Sequence, residues 1–382
     1  MTPRERVIAA LNHQEPDRVP LDLAQATGDG ITIAAYRNLI KYLGLGERPI
    51  QIKAKRGQNA RVDEDVLRRL RIDFRSIDLG APDNWKDIPI GEHSYQDEWG
   101  VVRTMPPGSY YYDLTGAPLA EGDTFEAIER HHWPEPYDPG RFRGIKERAR
   151  QLRQETDYAV VIDLNCSFFL RCFELRGWSN FYMDLAANVE FAEALMDRYL
   201  DIRLAIAERA LEEVGDNIDI VMVTSDDLGM IDRPLISPTL YRHLIKPRQK
   251  RTFDFFRAHT DAKLYHHSDG AIYSLIPDLI DLGVDILNPI QVSAEGMGDT
   301  RKLKAEFGDK ITFWGAVDTH HVLPYGTPEE VRQEVRQRIL DLGPGGGYVV
   351  GSVHNVQPEV PPENVVAMFD AAYELGRYPL GV

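Results

Sequence analysis

Two histidines and one aspartate stand where they could act together on a metal ion or a substrate. His267 and Asp269 close an apolar run that begins at Leu264, and His354 follows a second apolar run near Gly351. Residues two apart on an extended strand face the same side, so His267 and Asp269 can converge. Two imidazoles and a carboxylate are sufficient ligands for catalytic zinc, which keeps a fourth position open. The sequence therefore predicts a metal site at His267, Asp269 and His354.

Other chemistries fit the same three residues. The trio also describes the ligand set of non-heme iron oxygenases, but those with an HxD pair are usually jelly rolls, which this sequence pattern does not favour. Histidine and aspartate at strand ends also serve as hydrogen-bonding partners for organic substrates. Asp269, which Gly270 follows, is equally suited to begin a helix as its N-cap. The residues alone leave the metal and these alternatives open.

Three further aspartates fall at the ends of predicted strands. Asp78 ends the second predicted strand, and Asp226 and Asp227 follow the fourth. Adjacent carboxylates at a strand end suit acid–base catalysis or cation binding, but they are equally suited to capping a helix. Together with His354, these three aspartates are the predicted catalytic residues.

Short β-rich runs alternate with helix-period stretches along the chain. The runs are Arg18–Leu23, Ile72–Leu79, Tyr158–Leu164, Ile218–Thr224, Ala262–His267, Val284–Pro289, Ile311–Ala316 and Gly347–Ser352. Helix-period stretches such as Asn188–Val214 and Pro328–Leu342 lie between them. Alternation of this kind predicts a parallel sheet, and eight units predict one (β/α)8 TIM barrel over residues 1–382. Reactive groups of such barrels lie at the carboxyl ends of the strands, where each candidate residue falls.

The spacing after the first and second predicted strands is longer than a barrel unit requires. We interpret the extra residues as insertions, one of which spans residues 81–157. Within it, the alternating runs Tyr95–Arg103 and Ser109–Asp113 flank a turn at Pro106–Gly108, which predicts a β-hairpin. We expect this insertion to form a lid over one mouth of the barrel.

The composition limits the partners and the compartment of the protein. The chain has 60 Asp and Glu against 44 Lys and Arg, a formal charge of −16 that repels nucleic acid and anionic lipid. No run of about 18 apolar residues is present to cross a membrane, and the charged N-terminus lacks the apolar stretch of a secretion signal. We expect a cytoplasmic protein that binds neither nucleic acid nor membranes. Cys166 and Cys172 are interpreted as structural thiols.

Several short motifs, taken together, resemble the uroporphyrinogen decarboxylase superfamily. They are Arg4–Leu11 with Pro16–Pro20, Asp226–Gly229 with Ile236–Pro238 and Pro247, His267–Gly270, Asn288–Gln291 and Pro361–Asn364. Their order and spacing match the family nearly from end to end. The resemblance implies a (β/α)8 barrel, in agreement with the predicted strands. It also implies an enzyme of one of two kinds, a haem-pathway decarboxylase or a methyltransferase that moves methyl groups to or from a corrinoid protein or a thiol.

The departures from the family's motifs favour the methyltransferase branch. The decarboxylases carry an arginine-containing motif just after the first strand, whereas Asp22–Gly30 contains no arginine. Asp78 is a loose counterpart of their essential aspartate, and His354 falls where they keep their active-site histidine. The methyltransferases bind zinc through a His-x-Cys pair and a distant cysteine, and this chain has His267, Asp269 and His354 in those positions.

The absence of both thiolates implies an oxygen substrate. Zinc on two histidines and an aspartate keeps more positive charge than zinc on sulfur ligands, which suits polarisation of an oxygen. We therefore expect methyl transfer from an O-methyl compound, such as a methoxylated aromatic, to a corrinoid protein. Cobalamin would be carried by that partner, because no corrinoid-binding module is visible in this chain. Asp226 or Asp227 would orient the substrate or supply a proton to the leaving group.

Two alternatives from other classes remain at this point. A metal-free carboxy-lyase would use Asp78 and His354 as its acid and base. A non-catalytic relative would bind a ligand or a corrinoid protein without turnover. A homodimer is a further expectation for this chain.

Overall fold

The structure is a computed structural model that describes residues 1–25 and 30–381. Residues 26–29, within the arginine-free segment Asp22–Gly30, therefore lie outside the described residues. The strands of the described part are β1 (Ile52–Ala54), β2 (Asn59–Ala60), β3 (Phe74–Asp78), β4 (Ile88–Gly91), β5 (Ser94–Gln96), β6 (Val102–Thr104), β7 (Asp113–Gly116), β8 (Ala159–Asp163), β9 (Ile220–Ser225), β10 (Lys263–His267), β11 (Ile286–Asn288), β12 (Thr312–Val317) and β13 (Tyr348–Ser352).

Helices separate most of the strands. They are α1 (Pro3–Leu11), α2 (Ile33–Tyr42), α3 (Glu64–Arg69), α4 (Phe125–Arg130), α5 (Ile145–Glu155), α6 (Phe169–Arg176), α7 (Trp178–Ala187), α8 (Val189–Val214), α9 (Pro238–Leu240), α10 (Lys246–His259), α11 (Ile276–Asp281), α12 (Thr300–Phe307), α13 (Val322–Tyr325), α14 (Pro328–Leu342) and α15 (Pro362–Leu375). A π-helical turn at Tyr241–Ile245 joins α9 to α10. Among the described residues, no helix has both the length and the apolar content that spanning a bilayer requires.

The core of the fold is a curled parallel sheet. Its seven strands in the described residues follow the order β3, β8, β9, β10, β11, β12 and β13, so neighbours in the sheet are also successive barrel strands. They correspond to the second to eighth predicted strands. Three backbone hydrogen bonds link the edges through the N-terminal segment: from Asp22 N–H to Val350 O at 2.9 Å, from Val350 N–H to Pro20 O at 2.9 Å and from Asp73 N–H to Leu21 O at 3.0 Å. The predicted TIM-barrel-like, single-domain α/β fold is confirmed.

The first predicted strand, Arg18–Leu23, is only partly correct. The structure has an isolated parallel bridge between Leu21 and Val350 in its place. Pro20 has no N–H to donate, and the N–H of Leu21 donates to the carboxylate of Asp73 at 2.9 Å. A side chain thus takes the place of a ladder bond, and no regular strand forms.

Large side chains fill the interior of the barrel. The cluster consists of Val7, Leu11, Phe74, Ala159, Val161, Ile220, Met222, Tyr265, Ile286, Trp314 and Val349. Trp314 contacts Phe74 and Tyr265 at ring-centroid distances of 4.6 Å and 5.4 Å. Val7 and Leu11 come from α1, which begins with a capping box between Thr2 and Glu5. Because α1 packs against the filled interior, the barrel is a solid core rather than a channel.

The long insertion after β3 carries a four-stranded antiparallel sheet, β4 to β7. The predicted hairpin is only partly correct, because the run Tyr95–Arg103 is divided into β5 and β6, which pair with each other. Strand β6 pairs with β7 across the predicted turn, but of the run Ser109–Asp113 only Asp113 is in β7, and the structure adds β4. Arg103 on β6 contacts Glu174 on α6 at 2.7 Å, and Tyr111 is hydrogen-bonded to Gln357, which follows β13. Both partners follow the carboxyl ends of barrel strands, so this sheet, which we call the lid, lies on the same side of the barrel as those ends.

Candidate functional site

The three predicted metal ligands lie together at the carboxyl ends of β10 and β13. One nitrogen or oxygen atom from each of His267, Asp269 and His354 lies within 4.8 Å of the other two. Asp269 Oδ2 is 3.6 Å from His267 Nε2 and 3.7 Å from His354 Nε2. Two ligands bonded tetrahedrally to one zinc ion are roughly 3.3 Å apart, given bonds of about 2.0 Å. The spacing of these atoms therefore fits a shared metal ion.

Asn288, the last residue of β11, fixes the orientation of the His267 ring. The side-chain amide of Asn288 donates to the carbonyl of Trp314 at 3.3 Å, which leaves its Oδ1 to face His267 Nδ1 at 2.6 Å. Because Oδ1 accepts, Nδ1 carries a proton, and Nε2, on the side of Asp269, is the nitrogen that would lose its proton to bind a metal. A buried amide thus prepares His267 to act as a ligand.

Two glycines bring the loops after β9 and β10 into backbone contact. A Cβ atom on Gly270 would lie 2.4 Å from the carbonyl carbon of Gly229, and the φ of Gly270 is +91°. The backbone N–H of Gly270 donates to Gln291 Oε1 at 2.7 Å, and that of Asp269 donates to Asp227 Oδ1 at 3.0 Å. These contacts hold the backbone beside the candidate ligands in a single arrangement.

The charges of the cluster are strongly coupled. Burial opposes protonation of His267, but the carboxylates of Asp269 and Asp227 raise its pKa to about 10. Burial also opposes ionisation of Asp269, but the imidazoles of His354 and His267 lower its pKa. Asp269 Oδ1 is buried without a hydrogen-bond partner in the described residues. A cation would satisfy that oxygen, so the donor set fits a metal.

The two adjacent aspartates after β9 have different surroundings. Asp226 is fully buried, and its carboxylate accepts hydrogen bonds from the backbone N–H groups of Phe168 and Leu170 at 3.1 Å and 3.0 Å. Burial raises the pKa of Asp226 to about 6. It caps the start of α6, which favours the structural alternative for this residue. Asp227 instead points toward the cluster, with Oδ1 3.7 Å from His267 Nε2.

Asp78 lies elsewhere on the mouth, at the end of β3. It contacts Arg61 at 2.8 Å and Lys53 at 3.8 Å, and it is not part of the histidine cluster. Asp163 stands beside it in register at the end of β8. Burial raises the pKa of Asp163 to about 6, with Lys53 opposing and Asp78 reinforcing the rise. The sequence analysis missed Asp163, although the strand-end rule that gave Asp78 applies to it equally.

In barrels of this fold, active sites lie at the carboxyl ends of the strands, and the polar side chains described above lie there too. The uroporphyrinogen decarboxylase (URO-D) family model matches residues 111–375. A uroporphyrinogen decarboxylase of Alkalilimnicola ehrlichii is 38% identical over 98% of this chain and 95% of its own length. A uroporphyrinogen decarboxylase of Nostoc punctiforme is 26% identical over 66% of this chain and 68% of its own length. The chain belongs to the uroporphyrinogen decarboxylase family and is an enzyme of that superfamily.

A solved structure supports the fold. A methyltransferase from Methanosarcina mazei superposes with a TM-score of 0.62 and covers 98% of this chain and 99% of its own. The two sequences are 17% identical, so the likeness concerns the fold. The predicted membership of the superfamily is confirmed.

Proposed function

We propose that this protein is a zinc-dependent methyltransferase that moves a methyl group from an O-methyl compound to a corrinoid protein. The observation that carries the proposal is the convergence of His267, Asp269 and His354 within 4.8 Å. The name of the Methanosarcina mazei methyltransferase, which shares the fold, supports the same class of reaction. A methoxylated aromatic compound is the methyl donor that we favour.

The proposed ion would be held by His267 Nε2, His354 Nε2 and a carboxylate oxygen of Asp269. Zinc bound to these residues would supply a Lewis acid for the ether oxygen of the donor. Two neutral imidazoles and one carboxylate leave net positive charge at the site, unlike ligand sets that contain thiolates. This charge is the reason for proposing an oxygen substrate rather than a thiol.

Residues around the cluster have roles that follow from their contacts. Asp227 is placed to orient the donor or to hold a proton for the departing oxygen, because its carboxylate faces His267. Asp226 is less suited to that role, since its oxygens accept from backbone groups at the start of α6. Asn288 keeps the Nδ1 proton on His267, and the hydrogen bond between Tyr111 and Gln357 joins the lid to the segment after β13.

A second candidate is a metal-free carboxy-lyase, which the names of the curated relatives favour. It would use Asp78 and His354 as the acid and base. In this case the contacts of Asp78 with Arg61 and Lys53 would hold its carboxylate in position beside the substrate. The two candidates differ in whether they require a metal.

The metal content of the purified protein tests the proposal. We expect elemental mass spectrometry to find about one zinc ion per chain in the unaltered protein and none in His267→Ala, because that change removes one of three ligands. The matched control is His259→Ala, at the exposed end of α10. The control should keep both its metal and the transfer of methyl from methoxylated compounds to a corrinoid acceptor.

Other results would redirect the assignment. Iron in place of zinc would point to oxygenase chemistry. Absence of any metal from the unaltered protein, after purification without chelators, would contradict the proposal and favour the carboxy-lyase. Retained zinc in folded His267→Ala would remove this residue from the ligand set.

A further inference from the structure

Two adjoining cavities lie between the lid and the barrel. The larger, of about 540 Å³, has walls from the lid and from α6 and α8, and we call it the lid cavity. The smaller, of about 370 Å³, reaches Lys53, Asp78 and Asp163. Asn165 and two arginines, Arg171 and Arg203, line both cavities. Both arginines therefore lie within reach of a ligand in the lid cavity.

The lining of the lid cavity has five basic and four acidic side chains, a positive balance of one in a chain whose formal charge is −16. Arg56, Arg103 and Arg171 contact the same carboxylate, that of Glu174, at 2.9 Å, 2.7 Å and 2.8 Å. Arg103 also contacts Asp97 at 3.3 Å, so the three guanidinium groups face two carboxylates and leave one positive charge that an anion would neutralise.

Arg203 adds a fourth cation to this wall. Its Nε and Nη2 donate to the backbone carbonyls of Asn165 and Leu164 at 3.1 Å and 2.5 Å. Within residues 1–25 and 30–381, Arg203 forms no ion pair with a carboxylate, and its Nη1 donates no hydrogen bond. Its two carbonyl bonds hold the guanidinium in place, and its charge opposes the rise that burial causes in the pKa of Asp163.

Aromatic side chains give the same cavity apolar walls in addition to the charged ones. The aromatic residues that line it are Trp85, Tyr95, Trp99 and Tyr199. The ring centroids of Trp99 and Tyr199 are 4.3 Å apart. Flat apolar surfaces of this kind accommodate an aromatic ring, whereas guanidinium groups bind a carboxylate through paired hydrogen bonds. The combination suits a planar ring that carries an acid group.

We infer that the lid cavity binds an aromatic carboxylate, with Arg203 and Arg171 receiving the acid group and the aromatic side chains contacting the ring. The inference deepens the proposed function and rests on it for one point, that the bound acid is the methyl donor. On that basis the donor class is a methoxylated aromatic acid. Asn165, which lines the lid cavity, donates to Ser225 Oγ at 3.5 Å, and Ser225 ends β9, the strand that Asp227 follows.

Calorimetric titration with benzoate tests the binding site separately from methyl transfer, since benzoate has no methyl ether. We expect the unaltered protein to bind benzoate and to bind benzamide, its neutral analogue, at least tenfold more weakly. Arg203→Gln should raise the Kd for benzoate about tenfold or more, because it removes the charge that meets the carboxylate. Arg203→Lys should restore part of the affinity. The matched control, Arg209→Gln on the exposed face of α8, should leave the Kd unchanged.

Equal affinities for benzoate and benzamide, no binding of benzoate, or an unchanged Kd in folded Arg203→Gln would each overturn the inference. Should Arg203→Gln fail to fold, the comparison of benzoate with benzamide on the unaltered protein decides alone. Zinc content measured on the same samples separates this result from the proposed function. Bound zinc without benzoate binding would overturn the substrate class only, and benzoate binding without zinc would overturn the metal only.

Discussion

Asn288 connects the candidate site to the barrel without being one of its proposed ligands. It is fully buried, and its side chain lies between His267 Nδ1 and the carbonyl of Trp314. Partners of this kind fix the orientation and tautomer of a ligating histidine. The orientation of the proposed ligand is therefore set by the packing of β11 and β12.

We predict that Asn288→Ala weakens zinc binding by about 10- to 100-fold, because His267 loses the acceptor that holds its proton on Nδ1. Competition with a chromogenic chelator measures the affinity. Asn288→Asp, which retains an acceptor oxygen, should bind zinc more tightly than Asn288→Ala. Asn217→Ala, in the turn after α8, is a control that should not change the affinity. Equal affinities in all variants would show that Asn288 has no positioning role.

Spacing along the chain cannot show that Asp226 and Asp227 have different roles. Both follow a buried strand, but Asp226 meets the N–H groups of Phe168 and Leu170, which come from a different loop. Their different roles depend on that loop, and nothing in the local sequence around Asp226 describes it. The pairing of His267 with Asp269 was predictable because it follows from the strand period alone.

The loops after β9 and β10 form one unit at the scale of elements. Gly229 and Gly270 approach so closely that a side chain on either would overlap the backbone of the other loop. Ala271 N–H donates to Met230 O at 2.7 Å across the same contact. The loop that carries Asp269 thus cannot move without the loop that carries Asp227.

We predict that Gly270→Ala lowers the free energy of unfolding by more than the strain of a positive φ, which is about 1–3 kcal/mol. The added Cβ would lie 2.4 Å from Gly229, so the two loops would have to separate. Gly144→Ala is the matched control, because its φ is +79° but nothing lies within 4 Å of the added atom. Urea denaturation compares the two. Equal losses would mean that backbone strain alone explains the effect.

The lid shows a second limit of the sequence. Strand pairing across the turn at Pro106–Gly108 was predictable from the alternation around it. The arginines that line the lid cavity beneath it were not. The sequence analysis noted only that Asp22–Gly30 contains no arginine, whereas Arg103 and Arg203 reach the cavity from β6 and α8. Charges from separate segments come together only in the folded chain.

At the scale of the whole molecule, Asp73 joins the N-terminal segment to the sheet. Its carboxylate accepts from Arg6 at 2.8 Å, from Arg18 at 2.8 Å and 2.9 Å, and from Leu21 N–H at 2.9 Å. Asp73 is only 1% exposed. Where the barrel closes, Asp73 is therefore the carboxylate that pairs with Arg18, and it shares Arg6 with Asp17.

We predict that Asp73→Asn lowers the free energy of unfolding by about 3–5 kcal/mol, because it leaves buried guanidinium charge without its partner. The control is Asp254→Asn, which removes an exposed pair with Lys250 and should change stability by less than about 1 kcal/mol. Thermal and urea unfolding followed by circular dichroism measure both. A loss in Asp73→Asn no larger than that of the control would exclude this role in closure.

Most of the barrel was predictable because its elements follow simple periods. The prediction for the helix Pro328–Leu342 matches α14 at both ends, and Asn188–Val214 differs from α8 by one residue. The segment Arg18–Leu23 was wrong as a regular strand because its hydrogen-bond partners include the Asp73 side chain. Regular elements depend on neighbouring residues, whereas closure depends on residues far apart in the chain.

The last barrel strand also determines when the fold is completed during synthesis. Val350 on β13 pairs with Leu21, near the opposite end of the chain, and His354 follows that strand directly. While the chain is being made, the N-terminal segment must wait for its backbone partner until β13 emerges. Closure of the barrel and delivery of the third candidate ligand therefore occur together, and an unfinished chain has neither a closed barrel nor a complete ligand set.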